Sequence, residues 1–376
     1  MPRAKAEARA HLIVSTRPAY AAAGWIRARL EFVGNAASRV VCELPVPALL
    51  AVAAIAGLAV RVAVLRLAPV SVHETHYLHD AQRVLERGGA ALALRGSVHG
   101  WLAALGYARI LSIWPNAGEV ELRWVQLAFS LASLALVFAV GRAAASPRVG
   151  AAAALVHALT PSTVSYGASA EPYAAHLLLV GLLTVAYVWT VRNASIGRVA
   201  ALAALCALAV CHHLVAAVNA LTLAGHALAD RRASARSRVA RVLALAAGVA
   251  VALPMALGGN PGHALHLLGA SIPYFFSVAV VGSIVVFAVL WDETAADLDP
   301  AWAAVLPWAF VAPVLFWLPY GRLQYLLPGS LPMAVVLGAA LARRRRPAMI
   351  GAVLLFVALN LLSDLTAWSS GAPIEG

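Results

Sequence analysis

SVHETHYLHDAQRVLERGGAALALRGSVHGWLAALGYARILSIW, Ser71 to Trp114, decides how the chain is threaded. It follows the first hydrophobic run, and it crowds His73, Glu74, His76, Tyr77, His79 and Asp80 into a sequence that otherwise keeps few charges apart from arginine clusters. On a helix, residues three and four apart share a face, so His73, Tyr77 and Asp80 project together, as do His76, His79 and Asp80. Charged Arg83, Glu86 and Arg87 flank apolar Val84 and Leu85, the pattern of a helix lying at an interface and ended by Gly88 and Gly89. Val98 to Trp114 is apolar, yet its length is marginal for a crossing and Arg109 interrupts it, so it is expected to be a second surface helix. Were it to cross, every later loop would invert and the arginine clusters would mostly face outward.

Composition places the chain among polytopic membrane proteins and excludes a soluble core: 62% of residues are hydrophobic, 12% are charged, and the mean hydropathy is +0.83. The net charge of +12 is almost all arginine. It falls between hydrophobic runs, as membrane topology demands, and not on the aromatic-lined stripe of a nucleic-acid binder. Three cysteines, two of them (Cys206 and Cys211) inside one apolar run, make neither a disulfide framework nor a thiolate metal site.

Residues 1–45 mix arginines with scattered apolar side chains, without the unbroken core of a signal peptide. They are expected to form a basic cytoplasmic tail, with Trp25 to Val33 on the membrane surface. Runs near the ~20 residues of a spanning helix begin at Val46, Leu122, Val149, Pro172, Val239, Pro273, Ala301, Tyr325 and Pro347. Val199 to Leu228 is long for one crossing and short for two. With the amino terminus inside, a hairpin there keeps Arg142, Arg148, Arg192, Arg198, Arg231 to Arg241 and Arg343 to Arg346 all inside. The expectation is an all-α integral membrane bundle of about eleven spans over residues 46–367, with residues 69–120 as the first outer loop and 368–376 as a short outer tail. Asp292, Glu293, Asp297 and Asp299 then form a solvated inner loop. On the outer side lie His73, His76, His79, His99, His212, His213, His263 and His266, with His176 close below and Glu74, Asp80 and Glu171 beside them. Titratable groups from separate loops gathering at one face of a membrane bundle is the pattern of a site.

Four stretches carry a resemblance: HETHYLHDAQRVLERGG, NAGEVELRWVQLAFSLASLAL, LTPSTVSYGASAEPYAAHLLL and GRLQYLLPGSLPMAVVLGAALA. In order and spacing the chain resembles polytopic glycosyltransferases of the GT-C fold, in particular the family 39 group of protein mannosyltransferase and ArnT-like enzymes. That resemblance implies an inverting transfer of a hexosyl or pentosyl unit from a polyprenyl-phosphate donor to a lipid, glycan or protein acceptor. The reaction would occur on the outer face of a plasma membrane of bacterial type. The family's first loop carries an Asp-Glu pair whose aspartate is generally the base, and this chain has His73 there. Either His73 or Glu74 has taken the role or activity is lost, leaving an assembly subunit. The stretch after Leu365 is too short for the outer soluble domain that such enzymes often carry.

The expected catalytic residues are Glu74, His73 and Glu171, since a base must take the acceptor's proton. Glu74 would equally suit the first turn of a helix, and Glu171 before Pro172 would equally suit a helix start. The expected substrate-binding residues are Tyr77, Arg322, Tyr325, His212 and His213. Arg322 could hold a phosphate through two parallel hydrogen bonds or snorkel to headgroups, and Tyr325 could belong to the interfacial belt. His212 and His213 are adjacent and point apart, and HETH lacks the four-residue histidine spacing of zinc proteases. A divalent ion between one histidine and Glu74 or Glu171 stays open beside interfacial, hydrogen-bonded histidines. A transporter or flippase of lipid-linked sugars is the alternative; it calls for charged or broken helices at mid-membrane.

Overall fold

The computed structural model describes residues 2–88, 101–251, 278–320 and 327–369. Among these the chain is all-helical: α1 (Pro2–Glu43), α2 (Val46–Leu67), α3 (Val72–Arg87), α4 (Trp101–Ile113), α5 (Glu119–Ala144), α6 (Pro147–Leu159), α7 (Pro161–Ser165), α8 (Tyr173–Arg192), α9 (Ile196–His212), α10 (Ala216–Ala229), α11 (Ala235–Ala250), α12 (Val278–Thr294), α13 (Pro300–Tyr320), α14 (Ser330–Arg343) and α15 (Pro347–Ser369). Three of them, α2, α5 and α8, are long and apolar enough to cross a membrane.

The centre of the bundle is α6, packed on by α2, α5 and α14. Its alanines Ala151 to Ala154 are buried and so small that neighbouring backbones come close. A Cβ on Gly141 of α5 would lie 2.8 Å from the Cα of Gly150, and one on Gly338 of α14 would lie 2.7 Å from the nitrogen of Ala153. Contacts this close leave no room for a larger residue, so the helix approach itself depends on these glycines.

Val199 to Leu228 folds as two antiparallel helices. The chain turns at His213, whose φ of −158° and ψ of 126° are extended, and α10 then returns beside α11. His212 in the last turn of α9 lies beside His176 in the first turn of α8, whereas His226 in the last turn of α10 bonds Tyr187 near the other end of α8. The helix break also alters the histidine pair: instead of pointing apart, His212 and His213 both lie against the His176 ring, at centroid distances of 6.2 and 4.9 Å.

One end of the bundle is held by arginines. Arg148 donates to the carbonyls of Val41 and Cys42, and the Asp299 N–H donates to the carbonyl of Ala144 at 2.6 Å. Arg192 meets Asp299 at 2.9 Å, Arg346 meets Glu293 at 2.7 Å, and Arg343 lies 3.8 Å from Asp297. Glu293 at the end of α12 and Asp297 and Asp299 after it are therefore more than a solvated loop: their charges tie the ends of α8 and α14 to the α12–α13 turn. Beside Asp299, burial alone would raise the carboxyl pKa, but the hydrogen bond and charge of Arg192 and two backbone N–H groups outweigh it and hold the pKa below the ordinary value.

The amino-terminal segment also joins the bundle. Beyond Gly24, α1 runs antiparallel along α15, with Gly34 tight against Pro347 and Gly351 tight against Leu30.

Candidate functional site

The end opposite these arginines is built around a buried carboxylate. Ser71 caps α3 in a capping box: its hydroxyl accepts from the Glu74 N–H at 3.1 Å and its own N–H donates to Glu74 Oε2 at 2.8 Å. That box anchors Glu74 at the start of α3, where its side chain turns inward and is fully buried. Arg123, in the second turn of α5, closes on it with two parallel hydrogen bonds, Nε to Oε1 at 2.8 Å and Nη2 to Oε2 at 2.7 Å. The Ala170 N–H supplies a fourth donor, at 2.6 Å from Oε1. Arg123 spends its remaining N–H groups on the carbonyls of Leu65 in the last turn of α2 and of Ala68 and Pro69 just past it.

A carboxylate offers about four lone-pair sites, and here four donors use them. Glu74 in this arrangement is a clasp that joins α2, α3, α5 and the α7–α8 loop, with no lone pair left for an acceptor proton. A buried pair is costly to desolvate and is sustained only by such full hydrogen bonding.

The α7–α8 loop runs beneath α3 and α4. Residues 166–172 are buried, so their backbone groups need partners. Tyr107 of α4 donates its hydroxyl to the Ala170 carbonyl at 2.6 Å, and Gln126 of α5 donates to the Tyr107 oxygen at 2.8 Å. The Gln126 carbonyl oxygen in turn accepts from the Ala175 N–H at 3.3 Å. Both sides of Glu171 are thus gripped, and Glu171 itself is 3% exposed. Burial pushes the Tyr107 hydroxyl pKa up, beyond the ionising range, and the negative charges of Glu74 and Glu171 add to the shift. Tyr107 therefore remains a neutral donor.

Tyr77, expected at the substrate, is buried in the apolar seam between α3 and α4 with Leu78, Tyr107 and Ala170. There it docks α3 and α4 on each other. His76 and His79 are exposed on the opposite face of α3. His73 belongs to the first turn of α3; its side chain lies outside the described residues, as do Arg322 and Tyr325 entirely.

Beside Glu171 the rings of Tyr166, Tyr173, His213, His176 and His212 follow one another, with Tyr166 and Tyr173 edge to face at 5.3 Å and Tyr173 and His213 5.5 Å apart. The His213 Nδ1 accepts the Val215 N–H at 3.2 Å, which leaves its proton on Nε2. Neither nitrogen of buried His176, nor Nδ1 of His212, has a hydrogen-bond partner among the described residues. An unmet buried polar atom costs about 1–3 kcal/mol. Among the described residues no three His, Cys, Asp or Glu side chains are placed to share one metal ion.

Sequence reasoning missed Arg123, Tyr107 and Gln126. The Ser-x-x-Glu spacing of Ser71 and Glu74 was a local signal for the cap; nothing local pairs Glu74 with an arginine forty-nine residues on.

No family model matches this sequence, and no curated protein is significantly similar to it.

Proposed function

We propose that the chain is an integral membrane glycosyltransferase of GT-C type with about eleven spans, its arginine end inside, which transfers a sugar from a polyprenyl phosphate on the outer face. The observation that carries this reading is the convergence of Glu171, Tyr107, the Glu74–Arg123 clasp and the tyrosine–histidine row at the end opposite the arginines. Four segments distant in sequence meet there, as an outward-facing site requires.

In the reaction the acceptor hydroxyl oxygen attacks the anomeric carbon, the carbon–oxygen bond to phosphate breaks, and polyprenyl phosphate leaves with that bond's electrons. The acceptor proton passes to a carboxylate. With Glu74 saturated by four donors, Glu171 is the base in this reading and Glu74 positions the loop that presents it. The same scheme assigns binding of the departing phosphate to Arg322 and Tyr325.

A transporter of lipid-linked sugars is the second reading. It draws on Arg61, a fully buried arginine of α2 whose hydrogen bonds go to Ser130, the carbonyls of Gly57 and Ala158, and Thr163 of α7, just past the helix break at Thr160. Charged and broken helices inside a bundle are features of transporters. Against this, those acceptors, backbone carbonyls and hydroxyl oxygens, leave Arg61 no spare donor for a ligand.

Membranes containing the protein, incubated with radiolabelled polyprenyl-phosphate sugars, separate the readings. Transfer predicts label in an acceptor and release of bare polyprenyl phosphate, whereas transport leaves the label on its lipid.

A further inference from the structure

We infer that the row His176, His212, His213, Tyr173 and Tyr166 is a recognition site for the hydroxylated ring of a sugar; this rests on the transferase reading and names what the outer end holds. The argument begins with His176, which is 2% exposed and has both ring nitrogens without a partner among the described residues. A neutral imidazole presents one N–H donor and one lone pair. A ligand that meets both must donate and accept, which describes a hydroxyl. A fully ionised phosphate or a phosphodiester has no proton to donate to the lone pair, and a metal cation cannot accept from the N–H. The Nδ1 of His212 adds a third unmet position, on a ring nearly parallel to His176, at an interplanar angle of 10°.

The neighbours suit the remainder of a sugar. Tyr166 and Tyr173, themselves buried, stand within one ring's reach of His213 and His176, and aromatic rings are what the C–H face of a pyranose packs on. Glu171 lies two residues before Tyr173, the first residue of α8, and its carbonyl accepts the Tyr173 N–H at 2.8 Å, so a ring held on this row would lie near the segment that carries the proposed base. The helix break at His213 brings two consecutive histidines onto one neighbour, an arrangement that a continuous α9 would not allow.

A buried water has the same hydrogen-bonding capacity as a hydroxyl, and the test distinguishes the two. Purified protein in detergent is titrated with a polyprenyl-phosphate sugar and with bare polyprenyl phosphate, and the ratio of the two affinities is the readout. The wild type is expected to prefer the sugar-bearing lipid. His176→Leu and His212→Leu are each expected to reduce that preference about tenfold, with binding of the bare lipid unchanged, and His176→Gln to recover part of it. Because both nitrogens of His176 and the Nδ1 of His212 lack a hydrogen-bond partner among the described residues, neither leucine variant is expected to lower the melting temperature. A folded leucine variant that keeps the wild-type preference overturns the inference, as water-filled histidines would give this result. So does failure of both variants to fold, since the imidazoles would then be structural. If the wild type binds both lipids equally, the sugar site is refuted while the transferase reading stands; if it binds neither, both fall together.

Discussion

Arg123 and Glu74, forty-nine residues apart, meet side-on through two hydrogen bonds of 2.8 and 2.7 Å, and both side chains are almost wholly buried. Removing one partner of such a pair strands the other charge, at a cost of about 3–5 kcal/mol. Glu74→Gln and Arg123→Leu are each expected to lower the melting temperature in detergent. The double variant should lose less than the two single losses combined, because neither charge remains. Strictly additive losses in that cycle would mean that the pair is not coupled.

Glu171→Gln should behave differently. It keeps the side chain's size and hydrogen-bonding capacity but cannot take a proton, so turnover should fall by roughly 100-fold or more with donor affinity and melting temperature little changed. Equal loss of stability in Glu171→Gln and Glu74→Gln would show that the two carboxylates share one structural role.

Tyr107→Phe removes the hydroxyl that joins Gln126 to the Ala170 carbonyl and leaves both groups buried without it. The expected cost is about 1–3 kcal/mol, with faster amide hydrogen exchange confined to residues 166–175. Exchange that rises evenly across the bundle would contradict a local clamp.

The arginine end should respond to acid. Asp299 beside Arg192 has its pKa held below the ordinary value, and so does Asp230, where the hydrogen bond and charge of Arg241 outweigh a burial effect that alone would raise it. A carboxylate with a depressed folded-state pKa contributes stability above its unfolded pKa of about 3.9 and loses that contribution as pH falls through the lower folded value. Melting temperature is therefore expected to be flat from neutral pH down to about 4 and to drop below it, and Asp299→Asn should flatten that drop. A drop centred near pH 6 instead would implicate histidines.

Much of the bundle's arrangement was legible because it is written in local composition. The arginine spacing predicts which helix ends lie together, and the antiparallel α9 and α10 agree with the hairpin that charge demands of Val199 to Leu228. The site was legible only in part. Glu74 and Glu171 stand out as carboxylates among apolar residues, yet their roles depend on Arg123, Tyr107 and Gln126, contacts across the fold that leave no periodic trace. The pairing of Glu293 with Arg346, just past α14, and of Asp299 with Arg192 of α8 was equally hidden, since a run of acidic residues looks the same whether solvated or paired.

The topology has its own check. In a cysteine-free background, single cysteines at Ser97 and Ser234 should react from opposite sides with a membrane-impermeant reagent. Labelling of both from one side would invert part of the bundle and separate the α3–α4 pair from the face assigned to it.

The central claim is tested most directly by reconstituting purified protein in liposomes with a radiolabelled polyprenyl-phosphate sugar and a mixed lipid and peptide acceptor pool, comparing wild type with Glu171→Gln. The account predicts that the wild type moves label into an acceptor and releases unlabelled polyprenyl phosphate, and that Glu171→Gln binds the donor but transfers roughly 100-fold more slowly. Label that stays on polyprenyl phosphate in both proteins, whether or not it changes leaflet, would contradict it.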